Sequence, residues 1–323
     1  MKKFYRLLRS YGVALLGCLF LSATLCVAEE AEGVKGMAEE EFTPTKEVLN
    51  VKFVEFDCPK DVTVCSLEKA LKDAEGVQVK LQKQDKAFPN GGGSVNAAEV
   101  KAVHDGTAIY FQVSWDDATK NAQAIATQEF RDGVALMFPL GKVVVSTDEK
   151  FSPRMGDRQK PVNLWHWKAD WEADMVASGG IEECPVRYPN MHDDFSTNPH
   201  SVNYHKGLMQ SAAVLAGGVS AHNLLSMPNR GRTVEDLNAE GFGTLTSQDH
   251  QDVNACSKYE NSKWTVIFYR LLNSNDPLDV QFVPGESTYF NMAVWNGDKE
   301  DRNGQKNIST QWHPLALERI AWQ

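Results

Sequence analysis

Short runs of alternating apolar and polar residues cover most of the chain after residue 50, and turn-forming residues separate them. In the run TAIYFQVSWDD, alternation places Ile109, Phe111, Val113 and Trp115 on one face. A period of two residues places the apolar side chains on one side of the run, where they can pack into a hydrophobic core. This pattern is typical of β-strands. The clearest predicted strands are TAIYFQVSWDD (107–117), GVALMFP (133–139), SKWTVIFYRLL (262–272) and STYFNMAVWNG (287–297). Such runs, without a convincing long helix, predict an all-β fold, an antiparallel β-sandwich.

Two shorter runs precede these strands. Val51 and Phe53 begin one predicted strand, and GVQVKLQ (76–82) forms another. FPNGGGS (88–94) is predicted to be a loop because proline and glycine interrupt regular structure. The length of the chain allows one large β domain, which we predict to span residues 48–323.

The stretch from about residue 178 to residue 259 has a different composition, rich in Gly, Asn, Asp, Pro and His. It predicts a long, loop-rich insertion with one short helix in LMQSAAVLAGG (208–218). Connections of this length are usually functional or form interfaces. The insertion contains His192, His200, His205, His222 and His250. A metal site is possible, but their spacing matches no zinc pattern, which favours solvent-exposed loop histidines.

The first 28 residues have the pattern of a signal peptide, since Lys2, Lys3, Arg6 and Arg9 precede an apolar run that closes at Ala28. An uncleaved membrane anchor is the alternative, because the run reaches the lower limit for a spanning helix. Residues 29–47 are acidic and lack periodicity, which is typical of a flexible leader. We therefore expect export to the periplasm or an equivalent lumen, and no stable membrane insertion by any later segment.

Charge and cysteine content narrow the class of protein. The net charge of −10 becomes about −14 when the four cations of the leader are removed, which argues against nucleic acid as a partner. Cys58, Cys65, Cys184 and Cys256 would remain, and four thiols in an exported chain predict disulfides with three possible connectivities. A local Cys58–Cys65 bond would leave Cys184 with Cys256. The absence of C-x-x-C and C-x-x-C-H disfavours structural zinc and excludes covalently attached haem.

The chain lacks the common hydrolytic and nucleotide-binding motifs, since no G-x-S-x-G, H-E-x-x-H or phosphate loop occurs in it. Its most unusual segment is VNLWHWKADW (162–171). Alternation there places Leu164, His166 and Lys168 on one face and Trp165 and Trp167 on the other. The segment is either an ordinary strand of a sandwich core with an interior histidine, or the wall of a binding site.

Two motifs favour the binding site. VNLWHWKADWE preceded by P-x-M-G-D, together with AVWNGDKEDRNGQKNIST (293–310), resembles the haem b-binding gamma subunits of the ethylbenzene dehydrogenase and dimethylsulfide dehydrogenase group, in type II DMSO reductase family complexes. The similarity covers about residues 100–168 and 264–314. The group includes chlorate and selenate reductases and certain nitrite oxidoreductases. The predicted insertion favours the nitrite oxidoreductase branch.

The resemblance implies a β-sandwich that holds one non-covalent haem b between an axial methionine and an axial lysine. Carried over by motif, these are Met155 and Lys306. An amine coordinates iron only when deprotonated, so Lys306 would need a desolvated site that lowers its pKa. The other residues expected at the cofactor are Trp165, His166, Trp167, Met137 and Asn303.

Other ligands stay open at this point. His166 is the most conventional haem ligand nearby, and Met137 lies on the strand before the methionine loop. Met292 is a weaker alternative. Lys306 could instead be an exposed lysine in a turn, because DRNGQK contains typical turn residues.

With both axial positions filled, the chain would transfer electrons and have no catalytic residues of its own. The resemblance implies a molybdopterin alpha subunit, an iron-sulfur beta subunit and a soluble c-type cytochrome as partners. The alternative from another class is an exported carbohydrate-binding β-sandwich module without haem. In that case the tryptophans would be exposed platforms, and Met155 and Lys306 would have no special role.

Overall fold

The computed structural model describes residues 45–56, 64–124, 126–141, 153–176, 221, 223 and 231–320. The predicted signal peptide and the predicted helix at 208–218 lie outside these ranges. The described strands are β1 (Leu49–Phe53), β2 (Val77–Lys80), β3 (Gln82–Lys83), β4 (Ala97–His104), β5 (Ala108–Asp116), β6 (Gly133–Pro139), β7 (Val162–Lys168), β8 (Val234–Ala239), β9 (Thr246–Ser247), β10 (Asn254–Glu260), β11 (Lys263–Leu271), β12 (Ser287–Trp295), β13 (Asn307–Ile308) and β14 (His313–Leu317). The helical elements are α1 (Val64–Leu71), α2 (Ala169–Val176) and a 3-10 turn (Gly297–Lys299).

The strands form two layers that face each other. Antiparallel pairing joins β10, β11, β5, β4 and β2 in the first layer. The second layer runs β9, β8, β7, β6 and β12, and both β13 and β14 pair with β12. Strand β1 links the layers, because it pairs in parallel with β14 and with β4. The predicted all-β, sandwich-like fold is confirmed, with this mixed strand as a local departure from antiparallel order.

Aromatic side chains fill the core between the layers. The predicted inward face of β5 is confirmed, since its four apolar side chains are at most 1% exposed. Trp165 lies 5.8 Å from Phe111 across the core, and Trp167 lies 5.1 Å from Trp264, measured between ring centroids. Burial of one such aromatic side chain contributes roughly 1.5–3 kcal/mol. Strand β7 is therefore anchored by its tryptophan face.

Part of the predicted insertion belongs to the sheet. Strands β8, β9 and most of β10 lie between residues 231 and 259 and pair with the two layers. The sequence VEDLNA does not predict β8, because the core face of this strand carries Asp236 and few apolar residues. Asp236 is buried there, and Asn163 and Gln248 donate hydrogen bonds to its carboxylate.

The possible disulfide between Cys184 and Cys256 stays a prediction, and Cys256 itself lies on β10. Its strand packs against α1, and residue 256 contributes to the apolar cluster around Leu67 and Ile267. The partners Cys58 and Cys184 lie outside the described residues. Within the described ranges, no helix is both long enough and apolar enough to cross a bilayer.

Candidate cofactor site

The candidate site lies on the outer face of the second layer, the sheet surface turned away from the core. Register places Ala135 of β6 opposite Ala293 of β12 and opposite His166 of β7. Two residues further along the same two strands, Gly133 of β6 lies opposite Trp295 of β12. Three small residues in neighbouring positions leave room above the sheet, with larger side chains around them.

An apolar patch borders this space on one side. Met155 packs there on buried residues of the same face, among them Met137 and Leu164. The full patch comprises Met137, Val162, Leu164, Leu237, Ala239, Tyr289 and Trp312. It offers a dry surface beside a thioether, which is a soft and polarizable ligand.

The loop that carries Met155 is held in an unusual backbone conformation. Met155 itself has φ 60°, in the left-handed region that non-glycine residues seldom adopt, and Gly156 follows with φ 73°. The backbone N–H of Gly241 donates to the Met155 carbonyl oxygen at 2.8 Å. A Cβ at position 156 would lie 2.8 Å from the Lys160 carbonyl oxygen and 3.1 Å from that of Ala239. The glycine therefore lets the methionine loop close onto β8, and strain of this kind often marks functional sites.

Lys306 borders the space on the other side. Its Nζ lies 4.9 Å from the centroid of the Trp295 ring, and its side chain is only partly exposed. Among the described residues, no carboxylate pairs with this amine. Burial alone lowers the pKa of Lys306 to about 8. A substantial fraction of the amine is therefore neutral near physiological pH, the form that can bind a metal.

His166 lies between the two sides and is uncharged. Its ring stacks on Trp295 with 4.5 Å between centroids and an interplanar angle of 24°. The pKa of His166 lies well below its usual value because of burial, with further lowering by Lys168, Arg131 and Lys306. No hydrogen bond joins its ring to another residue of the described part. His166 thus remains chemically able to act as a ligand.

The second lysine of this face is engaged elsewhere. Lys168 forms a buried ion pair with Glu235, whose carboxylate also accepts a hydrogen bond from Ser247. The Lys168 amine lies 3.9 Å from the Trp171 ring centroid. Burial lowers the pKa of Lys168 to about 8, against the attraction of Glu235. Lys168 is paired with Glu235, whereas Lys306 has no such counter-charge among the residues that the structure describes.

Asn307 fixes the chain next to Lys306 and was not predicted from the sequence. Its fully buried amide donates to the Val294 carbonyl oxygen and to Asp301 Oδ2, both at 3.0 Å. Its Oδ1 accepts from the backbone of Gly93 at 2.5 Å and of Val95 at 3.0 Å. One polar side chain thereby ties the lysine loop to the glycine loop.

Gln84 completes this connection. Its backbone N–H donates to the Lys306 carbonyl oxygen at 3.1 Å, and its side-chain Nε2 donates to the Gly304 carbonyl oxygen at 2.8 Å. Lys306 in turn donates its backbone N–H to the Gly91 carbonyl oxygen at 3.3 Å. The predicted loop at 88–94 thus supports the lysine, although only its glycines signalled any role in the sequence.

The predicted site residues divide into two groups. Met137, Met155, His166 and Lys306 lie on the outer face or against it. Asn303 is exposed, but its carbonyl oxygen accepts a hydrogen bond from Trp295 Nε1 at 3.1 Å and so orients that indole.

The remaining candidates lie on the opposite side of the sheet. Trp165, Trp167 and Met292 are buried in the core between the layers. We therefore expect Trp165 and Trp167 to support the floor of the site and not to wall it. Trp295 borders the site beside His166 and Lys306, although the sequence presented it only as part of the A-V-W motif.

Comparisons with known proteins agree with the two sequence motifs. The family model for ethylbenzene dehydrogenase matches residues 68–307, which include Met155 and Lys306. The chlorate reductase gamma subunit of Ideonella dechloratans is 23% identical over 71% of this chain and 70% of its own length. A Haloferax mediterranei protein provisionally named as a respiratory nitrate reductase heme subunit is 22% identical over 84% of this chain and 73% of its own length.

A further relative and the solved structures are more distant. The dimethylsulfide dehydrogenase gamma subunit of Rhodovulum sulfidophilum is 24% identical over 63% of this chain, which spans 54% of that relative. A family 9 carbohydrate-binding module from Caldicellulosiruptor kristjanssonii has a TM-score of 0.38 and 8% identity, with coverage of 85% of this chain and 95% of the module. A score this low supports no conclusion. On the family match over most of its length and the named relatives, the chain belongs to the ethylbenzene dehydrogenase family, among the gamma subunits of the type II DMSO reductase group.

Proposed function

We propose that the chain binds one haem b on the outer face of the second layer, with Met155 and Lys306 as axial ligands, and transfers electrons. The observation that carries this proposal is the Lys306 amine, which is desolvated, lacks a carboxylate partner among the described residues and borders the same face as Met155. A buried lysine without a counter-charge lowers the stability of the fold unless another interaction compensates for its desolvation. Coordination of a metal supplies such an interaction.

The surroundings fit a flat, largely apolar group. Gly133, Ala135 and Ala293 keep the middle of the face low, and the Met137 patch lies beside it. The stacked pair of His166 and Trp295 forms a rigid border. Both sides of the space therefore present non-polar surface next to one thioether and one amine whose pKa is lowered by burial.

Each residue has a distinct task in the proposed site. Burial keeps the Lys306 amine ready to lose its proton, and Asn307 and Gln84 hold the backbone that presents it. The strained loop fixes Met155. Haem b, when bound, supplies a one-electron carrier whose potential methionine ligation tends to raise. With both axial positions taken by the protein, no position is left for a substrate.

The proposed partners follow from the relatives. Two are gamma subunits, of chlorate reductase and of dimethylsulfide dehydrogenase. We infer a molybdopterin alpha subunit and an iron-sulfur beta subunit as neighbours, and a soluble c-type cytochrome as the external electron partner. Export to the periplasm or an equivalent lumen, by way of the leader at 1–28, and membership of a nitrite oxidoreductase complex complete the proposal.

The full chain, purified from haem-replete cells, tests the cofactor. We expect a Soret band, a sharp α band on reduction, one haem b per chain by the pyridine haemochromogen assay, and no spectral change with carbon monoxide. A colourless protein would refute haem binding. A bound haem that takes up carbon monoxide would leave haem binding intact but refute the two-ligand arrangement.

The carbohydrate-binding alternative finds no support in the aromatic residues. The seven tryptophans of the described ranges are at most 8% exposed. A sugar platform needs an exposed indole face, and none of these side chains offers one. The site geometry therefore favours haem.

A further inference from the structure

Three carboxylates from separate parts of the chain meet at the edge of the core, away from the proposed haem site. Asp236 belongs to β8, Asp252 to the loop before β10, and Asp279 to the loop between β11 and β12. One carboxylate oxygen from each lies within 4.8 Å of the other two. Asp236 and Asp279 are 1% and 4% exposed, whereas Asp252 keeps part of its surface in solvent.

The charge of this cluster is only partly balanced by its neighbours. Arg270 is the nearest buried cation, with Nη1 3.5 Å from Asp279 Oδ1, but that nitrogen donates no hydrogen bond within the described structure. Asn163 donates to Asp236 Oδ1 at 2.6 Å, and Ser274 donates to Asp279 Oδ2 at 2.5 Å. Arg232 also interacts electrostatically with Asp236, so three carboxylates stand against two guanidinium groups, which leaves one excess negative charge in a poorly solvated place when all three are ionised.

Two of the buried side-chain oxygen atoms that have no hydrogen-bond partner in the described part belong to this cluster. Asp236 Oδ2 receives no hydrogen bond, although its side chain is almost completely buried. Gln248, which is 6% exposed, donates from Nε2 to Asp236 and Asp279 at 3.1 Å each, while its Oε1 has no donor. A half-turn of this amide would direct the unpartnered Oε1 at the same point as the carboxylates.

We propose that Asp236, Asp252, Asp279 and Gln248 form a binding site for a calcium ion. The donor set contains only oxygen, as hard divalent cations prefer. Opposite ligands of calcium lie about 5 Å apart, so oxygens within 4.8 Å of one another can share one ion. The irregular arrangement suits calcium better than magnesium, which requires near-ideal octahedral geometry. The partly exposed Asp252 gives the ion access.

Such an ion would connect the loops to the strand that carries the proposed haem site. Asn163 donates to Asp236 and accepts from Trp165 Nε1 at 3.1 Å. Asn163 also accepts from the Val280 backbone at 3.3 Å, one residue after Asp279. The role is structural, since it closes the edge of the core at β7 and β8.

The competing explanation is a bound proton. Burial, followed by the charge of Asp279, raises the pKa of Asp236 to about 8, so a proton could also relieve the repulsion. A proton and a calcium ion differ in their response to calcium and chelator at fixed pH. This difference separates the two explanations.

The test uses the full chain at pH 7.5, stripped with EDTA and then titrated with calcium chloride while the unfolding temperature is recorded. At 100 times the dissociation constant we expect a rise of about 5 °C or more. Magnesium at the same concentration should give a smaller rise. Isothermal titration calorimetry of the stripped protein should report one calcium per chain.

The variant Asp252→Asn removes one ligand at a partly exposed position and should abolish the calcium response. The matched control is Asp249→Asn, an exposed carboxylate of the same loop, which should respond like the wild type. A stripped wild type that binds no calcium, or an Asp252→Asn protein that retains the full response, would overturn the proposal. If Asp252→Asn does not fold, the wild-type stoichiometry alone decides.

Discussion

The Lys306 amine lies 4.9 Å from the centre of the Trp295 ring, with no carboxylate of the described structure paired to it. A cation–π contact favours the charged amine, whereas burial favours the neutral one. The pKa of Lys306, lowered to about 8 by desolvation, indicates that burial dominates. This balance makes the lysine usable as a ligand.

The lowered pKa gives the haem-free protein a specific pH dependence. Between about pH 8 and pH 10.5, the unfolded chain holds a proton on Lys306 that the folded chain has released. Stability therefore rises with pH in this window, by at most about 1.4 kcal/mol per pH unit from this group. Lys306→Met should lack the rise. Urea unfolding of both proteins at pH 8 and pH 9.5 measures the difference between them.

Only the difference in pH dependence between the wild type and Lys306→Met reports on Lys306, because Lys168 also has a lowered pKa and remains in both proteins. Lys263→Met, at an exposed position, should follow the wild type. Equal pH slopes for the wild type and Lys306→Met would show that the folded protein does not release this proton in the window.

The axial assignment predicts a pattern of spectra across four variants. Met155→Ala and Lys306→Ala should each change the low-spin spectrum, because each removes one ligand. His166→Ala and Met137→Ala alter the same face and should keep both ligands. Absorption and electron paramagnetic resonance spectra of the purified proteins give the result. Loss of the low-spin signal in His166→Ala alone would transfer the ligand role to His166.

Variants of two tryptophans distinguish structural support of the site from direct contact with the cofactor. Trp165→Phe removes the hydrogen bond to Asn163 and part of the core, and should lower the free energy of unfolding by about 1–3 kcal/mol. The haem spectrum should change little, because Trp165 lies on the core side of β7. Trp295→Phe should instead shift the spectrum. The converse result would place the haem on the other side of the sheet.

The sequence predicted the strands with long apolar runs and missed shorter or less regular ones, among them β8, whose inward positions are largely polar. Strands β5, β6, β11 and β12 follow from their apolar runs, and the face assignment of β7 is correct. Strand β8 is hidden because Asp236 occupies a core position that only long-range hydrogen bonds make tolerable. Helix α2 was missed because it begins directly after β7, within a segment dominated by aromatic residues.

The candidate site was predictable only in part, because contacts between residues distant in the sequence determine it. Met155 and Lys306 came from the resemblance, since nothing in their local periodicity distinguishes them. Asn307 and Gln84 were missed because a buried polar side chain looks like a surface residue until its partners in another loop are known. Trp295 needed the register between β12 and β6.

The contact between the glycine loop and the lysine loop gives a prediction about Gly92. A methyl group at this position would lie 2.1 Å from the Lys306 carbonyl oxygen, far inside van der Waals contact. Gly92→Ala must therefore displace the backbone that presents the lysine, in addition to straining a residue with φ +95°. We expect a loss of stability of about 2 kcal/mol or more and a weakened low-spin haem signal.

Gly141→Ala is the matched control, because Gly141 has a similar φ of +83° and no atom of the described residues lies within 4 Å of the added methyl group. It should show the backbone strain alone, about 1–2 kcal/mol, with an unchanged haem spectrum. Thermal unfolding and the reduced spectrum of both variants measure the two effects separately. If Gly92→Ala keeps the wild-type spectrum while it loses stability, the lysine loop does not depend on this contact, and the hydrogen bonds of Asn307 and Gln84 set the position of Lys306.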